Sequence, residues 1–190
     1  MTKCTFCDKN FRSFLHLKDH INTKKHKAMF TNKKINTYTH TQPLHLACDN
    51  VYGSGCIIFT INKDKQYMVL CVKGARSNKW GFPKGHLNEF ESYSDCAVRE
   101  TYEETSLKVD KKELKGYSKF GGLIYFYVYK SEDTPFKILD KEEIEEIRWF
   151  SEKELNKLDP YSFTSGLRYL VKNIPFKNAY MKGVCNINCT

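Results

Sequence analysis

No run in this 190-residue chain approaches the ~20 consecutive apolar residues that cross a bilayer; the longest, Leu123 to Tyr129, is the length of a strand. A membrane-spanning helix is therefore not expected. The first ten residues, MTKCTFCDKN, lack the apolar core of a secretion signal, so the expectation is a protein that stays in the cytoplasm. Proline is scarce, at five residues, and acidic residues are few in the first quarter of the chain. Residues 1–50 carry nine Lys and Arg against three Asp and Glu, whereas residues 51–190 carry 22 against 19. A basic arm ahead of a nearly balanced body suits a polyanionic partner. Apolar residues make up 41% of the chain, with 13 Phe and 12 Tyr, enough for a packed core. Without a secretion signal, the eight cysteines read as metal ligands or free thiols of a reducing compartment rather than as disulfides.

Two of those cysteines stand with two histidines near the start: Cys4-x2-Cys7-x12-His20-x5-His26. Two thiolates and two imidazoles give Zn²⁺ a closed tetrahedral shell. A unit this small draws most of its stability from the metal. Residues 1–27 are accordingly read as one zinc finger with Phe11 and Leu17 as its core, and residues 28–50, rich in Thr, Asn and Lys, as a linker. His40, His45, Cys48, Cys185 and Cys189 could in principle make a second metal site, but the spacing is weak and the plainer reading is free thiols and surface imidazoles.

Residues 51–174 read as the main domain and residues 175–190 as a C-terminal tail. Cys56–Ile61 and Tyr67–Val72, separated by the polar Asn62–Lys65, predict a hairpin. Gly121–Tyr129 and Ile147–Phe150 predict further strands. Helices are expected over about 92–105, over Glu152–Leu158 behind a Ser151/Glu154 capping box, and over about 161–173 ahead of Pro175. Strands interspersed with helices imply an α/β/α sandwich on a mixed sheet.

The chemistry concentrates in Trp80–Leu107, WGFPKGHLNEFESYSDCAVRETYEETSL. Residues three and four apart share a helix face. Glu100, Glu103 and Glu104 thus aim carboxylates at one point within a turn of ~5.4 Å, and such a cluster suits Mg²⁺ shared with a substrate phosphate. The exposed, salt-bridged helix is the plain alternative for such a cluster.

The spacing Gly85-x5-Glu91-x7-Arg99-Glu100-x2-Glu103-Glu104 resembles the Nudix box of pyrophosphohydrolases, and the lead-in Trp80-Gly81-Phe82-Pro83-Lys84-Gly85 resembles the mRNA-decapping branch. Thr101 stands where the box has an aliphatic residue, and Ser106 where it has glycine. The resemblance implies a Nudix α/β/α sandwich behind a small ββα-type finger. It also implies hydrolysis of the 5′ cap of mRNA to 7-methylguanosine diphosphate and 5′-monophosphate RNA. Glu100, Glu103 and Glu104 would hold Mg²⁺ or Mn²⁺, Gly85, Glu91 and Arg99 would shape the box, and Lys84 would place a charge beside the polyphosphate. In Glu142–Glu146, Glu143 matches the family's general base, with the neighbouring glutamates as alternatives. Trp80, Phe82 and several tyrosines are candidates to stack on the cap base.

The five-residue gap between His20 and His26 resembles fingers of double-stranded-RNA-binding proteins. Capped, double-stranded or structured RNA is then the expected partner, contacted by Lys18, Lys24, Lys25 and Lys27, and by Arg168 and Lys172 on the last helix. A protein partner of the finger is the competing reading. The family's all-helical domain has its place taken here by finger and linker, so cap selectivity by that route is not expected. Two further alternatives are a Nudix hydrolase of small polyphosphates (diphosphoinositol polyphosphates, dinucleoside polyphosphates or nucleoside triphosphates) and a non-catalytic RNA-binding adaptor.

Overall fold

A computed structural model describes residues 51–184 together with Thr2–Lys3 and Asn10–Phe11. The chain divides into two compact units, Met1–Gln42 and Pro43–Thr190. In the first, β1 (Thr2–Lys3) pairs antiparallel with β2 (Asn10–Phe11). The expected zinc ligands Cys4, Cys7, His20 and His26, the lysines Lys18, Lys24, Lys25 and Lys27, and the linker 28–50 lie outside the described residues.

In the second unit, β3 (Gly53–Ile61) and β4 (Tyr67–Gly74) form the expected hairpin. Its turn is closed by Asn62, whose side-chain oxygen accepts from the Gln66 N–H at 2.8 Å. The sheet also holds β5 (Trp80–Gly81), β6 (Lys84–His86), β7 (Lys115–Phe120), β8 (Leu123–Tyr129) and β9 (Ile144–Ser151). Its order is β5-β4-β3-β8-β7, with β6 on β3 and β9 on β4; β3 and β8 run parallel and the remaining pairs antiparallel. The sheet is mixed, as expected.

Alternation along β3 sorts the core into two layers. Cys56 and Ile58 pack with Ala97 of α1 (Tyr93–Thr105), while Ile57 and Phe59 pack with residues of the helices on the other face. Those helices are α2 (Glu152–Leu155), α3 (Ser165–Asn173) and α4 (Phe176–Val184). The α/β/α sandwich follows.

The structure departs from expectation in several places: β5 and β6 are not expected strands, and the helix expected over Glu152–Leu158 ends at Leu155. β7 was not anticipated: it is a polar edge strand, joined to β8 by Gly121 and Gly122 at φ 55° and 83°, so these glycines form the turn rather than the strand. β9 begins at Ile144, three residues earlier than expected, because Ile144 is buried while Glu145 and Glu146 face outward. The helix expected from Tyr161 splits into a 3-10 turn, Pro160–Ser162, and α3, because Phe163 is extended and the Thr164 N–H donates to Trp80 O at 2.8 Å. Finally, the expected tail contains α4. Pro175 opens that helix rather than ending the fold, its carbonyl accepting from the Ala179 N–H at 3.0 Å, and Phe176 and Ala179 are buried.

Candidate active site

Local chemistry sets the ends of α1. Ser92 caps its start, the hydroxyl accepting from the Asp95 N–H at 3.1 Å. Ser106 ends it in the left-handed region at φ 60°, the conformation that makes glycine usual at this position. Thr101, in the place of an aliphatic residue, is fully buried.

Between those ends the carboxylates do not all point the same way. Glu100 and Glu104, one turn apart, are buried at 8% and 5% exposure and face β6. The Lys84 N–H donates to Glu104 Oε2 at 3.1 Å. Gly85 lies against the Glu100 carboxylate so closely that an added Cβ would fall well inside 3.0 Å of it, so the missing side chain is what makes room for this glutamate. Glu103 is turned toward solvent, its side chain 52% exposed.

Arg99 ties these groups together. Its Nε and Nη2 grip both oxygens of Glu91 at 2.7 and 2.8 Å, Nη2 also donates to His86 O at 2.9 Å, and Nη1 donates to Glu100 Oε1 at 2.6 Å and Glu103 Oε2 at 2.8 Å. The bidentate pair fixes the loop after β6 against α1. That grip holds the Glu91 carboxyl below its usual range and pushes the Arg99 value up.

A cavity of about 180 Å³ opens beside Glu104, lined also by Glu143, Lys84, Lys79, Ser77 and Thr164. Glu143 is brought here by the backbone: its carbonyl accepts from the Ala75 N–H at 2.8 Å, joining the start of β9 to the turn after β4. All four glutamates of this stretch, Glu142, Glu143, Glu145 and Glu146, are exposed, and only the cavity separates them. Glu145 pairs with Lys73 at 3.2 Å. Of the four glutamates, Glu143 alone lines the cavity.

Of the expected stacking residues, Phe82 borders the cavity and Trp80 does not. Both are buried in the core, Trp80 edge-on to Phe150 at 4.8 Å and Phe82 edge-on to Tyr125 at 5.4 Å. Their alternation with Gly81 places both on the sheet face under the helices, which explains their burial. Arg168 and Lys172 stand on α3. The Arg168 guanidinium donates to Pro160 O at 2.9 Å and Phe163 O at 3.0 Å, and Lys172 is exposed.

Burial costs the carboxylates dearly. Desolvation pushes Glu104 up to about 8 against the pull of Lys84, and Glu100 is raised by burial against the pull of Arg99; both also feel Glu143. Buried carboxylates that repel one another are a donor set suited to a hard divalent cation. Among the described residues no three acidic, His or Cys side chains are grouped to enclose a metal as placed. Arg99 holds Glu100 and Glu103 on its own guanidinium. The residues nevertheless fit Mg²⁺ or Mn²⁺ in kind and in charge.

A NUDIX domain is matched over residues 51–173, most of the chain. The chain belongs to the NUDIX domain family. Within that family it is 34% identical over 87 residues to the m7GpppN-mRNA hydrolase dcap-2 of Caenorhabditis elegans, covering 43% of this chain and 11% of that protein. It is also 34% identical over 101 residues to the mRNA decapping complex subunit 2 of Schizosaccharomyces pombe, covering 50% and 14%. The chain thus spans a small part of the length of these relatives. Among solved structures, the fold is similar to an Ap4A hydrolase of C. elegans, with a TM-score of 0.52 and 18% identity over 70% of this chain and 98% of that one. At that identity the likeness is one of NUDIX fold.

Proposed function

We propose that this NUDIX domain hydrolyses the 5′ cap of mRNA, releasing 7-methylguanosine diphosphate and 5′-monophosphate RNA. The observation that carries the reading is the 34% identity to proteins named as an m7GpppN-mRNA hydrolase and an mRNA decapping complex subunit, on a chain whose Glu104 and Glu143 line one cavity.

Pyrophosphate bonds persist because their anionic oxygens repel a nucleophile, so a catalyst must neutralise charge and align water with the leaving oxygen. Glu100 and Glu104, with Glu103 once released from Arg99, would hold Mg²⁺ or Mn²⁺. Such a metal would neutralise charge on the polyphosphate. Glu143, which lines the cavity with Glu104, takes the proton of the attacking water. Lys84 and Lys79 line the same cavity and attract the polyphosphate. Glu91 and Arg99 position the box without touching the reaction.

The same reading extends to the amino-terminal unit. Cys4, Cys7, His20 and His26 bind one Zn²⁺, and Lys18, Lys24, Lys25 and Lys27 contact RNA backbone or a protein partner, in a cytoplasmic setting. Zinc stoichiometry of wild type and Cys4→Ser tests the finger: equal zinc content in the two refutes these ligands. Salt-dependent RNA binding before and after removal of residues 1–27 tests its RNA role.

For the reaction, purified protein is incubated with Mn²⁺ and cap-labelled RNA, and the products are separated by chromatography. Methylguanosine diphosphate that disappears with Glu104→Gln supports the proposal. Turnover of dinucleoside polyphosphates with none of capped RNA overturns it in favour of a small-molecule hydrolase, and no turnover of either points to a binding scaffold.

A further inference from the structure

A second concavity, of about 440 Å³, shares no lining residue with the catalytic cavity. It lies between the end of α2, the Pro160–Ser162 turn and α3, and its walls are mostly apolar: Leu155, Leu158, Pro160, Phe163 and Val171. Apolar side chains are normally drawn inward, yet Leu158 is 37% and Tyr161 78% exposed at its lip. Isolated exposed hydrophobics need no explanation, but a cluster lining a cavity of ligand size does.

The groove is held in shape. Asp159 caps the turn, its Oδ1 accepting from the Tyr161 N–H at 2.9 Å. Arg168 then straps the turn to α3 through the Pro160 and Phe163 carbonyls, its guanidinium 5.6 Å from the centre of the Tyr161 ring. A surface already ordered loses little entropy when it binds.

Charge decides the occupant. The lining includes Arg168 and Lys172 and no carboxylate; between lining residues stand exposed Lys157 and exposed Asp159, the latter turned to the Tyr161 N–H, so the balance is positive. The chain's own residues 1–50 carry a surplus of Lys and Arg, and a second copy brings a net charge of +9, the wrong sign in both cases. RNA has the right sign but the wrong surface, because the walls are largely aliphatic, and the Arg168 Nε and Nη2 donors already serve backbone carbonyls.

We propose that this groove docks a partner protein's short acidic segment, with Leu, Ile or Phe side chains entering between Leu158 and Val171 and carboxylates meeting Lys157 and Lys172. The proposal is independent of the reaction at the catalytic cavity. It is tested by panning a phage library of random peptides against the full-length protein, then measuring the enriched peptides by fluorescence anisotropy.

Enrichment of acidic peptides with apolar anchors is expected. Their binding should weaken with added salt and fall about tenfold or more in Leu158→Asp, the loss of one anchor contact. Leu158→Ser, which adds no charge, should weaken binding in the same direction, and both variants should keep the thermal stability and turnover of wild type. No enrichment, enrichment without acidic character, or binding that ignores both substitutions overturns the proposal. So does a single-stranded oligoribonucleotide whose binding is lost in Leu158→Ser and which the peptides fail to displace.

Discussion

Gly85→Ala separates the catalytic role of the box from its contribution to folding. Gly85 lies in β6 opposite Ser54, and its absent side chain faces the Glu100 carboxylate. A Cβ there would sit well inside 3.0 Å of Glu100 Cδ, Oε1 and Oε2, closer than real Cβ atoms come to other groups. The obstructed group is the end of a side chain, so it can swing aside. Leaving its rotamer costs about 0.5–1.5 kcal/mol, and loosening the Arg99 bond about 1 kcal/mol more. The fold should tolerate that.

Catalysis should not. The carboxylate must shift by on the order of 1 Å, and a misplacement of that size costs about 100-fold in rate, or about 2.7 kcal/mol of transition-state stabilisation. Gly53→Ala is the contrasting case: its Cβ would meet the backbone carbonyl of Gly85, which cannot rotate away. That variant should lose stability outright. The assay is kcat on cap-labelled RNA with Mn²⁺, beside thermal denaturation of the same preparations. Activity of Gly85→Ala within roughly threefold of wild type, a shortfall under 1 kcal/mol, would refute the reasoning. An activity loss that tracks the unfolded fraction would refute it equally.

Arg99→Met should cost about 2 kcal/mol in urea denaturation, since it leaves the half-buried Glu91 carboxylate without its bidentate partner. Arg99 depresses the Glu91 carboxyl, so this stabilisation is present above the unfolded value of about 4.3 and is lost as pH falls through the lower folded value; the gap between wild type and variant should close in acid. Glu104 has the opposite sign. Its folded value, about 8, lies above the unfolded one, so metal-free protein should lose stability as pH rises through the interval between them. Glu104→Gln should flatten that decline by on the order of a few kcal/mol, one pKa unit being worth about 1.4 kcal/mol; a parallel melting-temperature profile for the two proteins would contradict it. Trp80→Ala should destabilise the domain by about 3–5 kcal/mol, as expected of a buried aromatic. A stable Trp80→Ala protein that selectively loses affinity for cap analogue would instead make this residue a binding surface.

Much of this is legible in the sequence. Apolar runs around Asn62–Lys65 specified a hairpin, because alternation and turn chemistry are local. The spacing from Gly85 to Glu104 specified a helix and its partners, because i and i+4 positions share a face whatever surrounds them. Other elements were hidden by local signals that mislead. The polar edge strand β7 lacks an apolar run, the glutamates of β9 resemble loop or helix, and Pro175 reads equally as a stop and as a start.

Sequence by itself determined which residues could do chemistry: the box glutamates, Arg99, Gly85 and a cluster of candidate bases from Glu142 to Glu146. Tertiary structure decided which of them meet. It turned Glu103 outward, closed Gly85 over Glu100, brought Glu143 to the cavity through the Ala75 N–H, and buried Trp80 and Phe82 in the core. It also assembled an apolar, basic-rimmed groove from α2, the Pro160–Ser162 turn and α3. Helical periodicity acts over a single turn, whereas these meetings join strands and helices far apart in the chain. They are set by how the two faces of one twisted sheet bury their side chains.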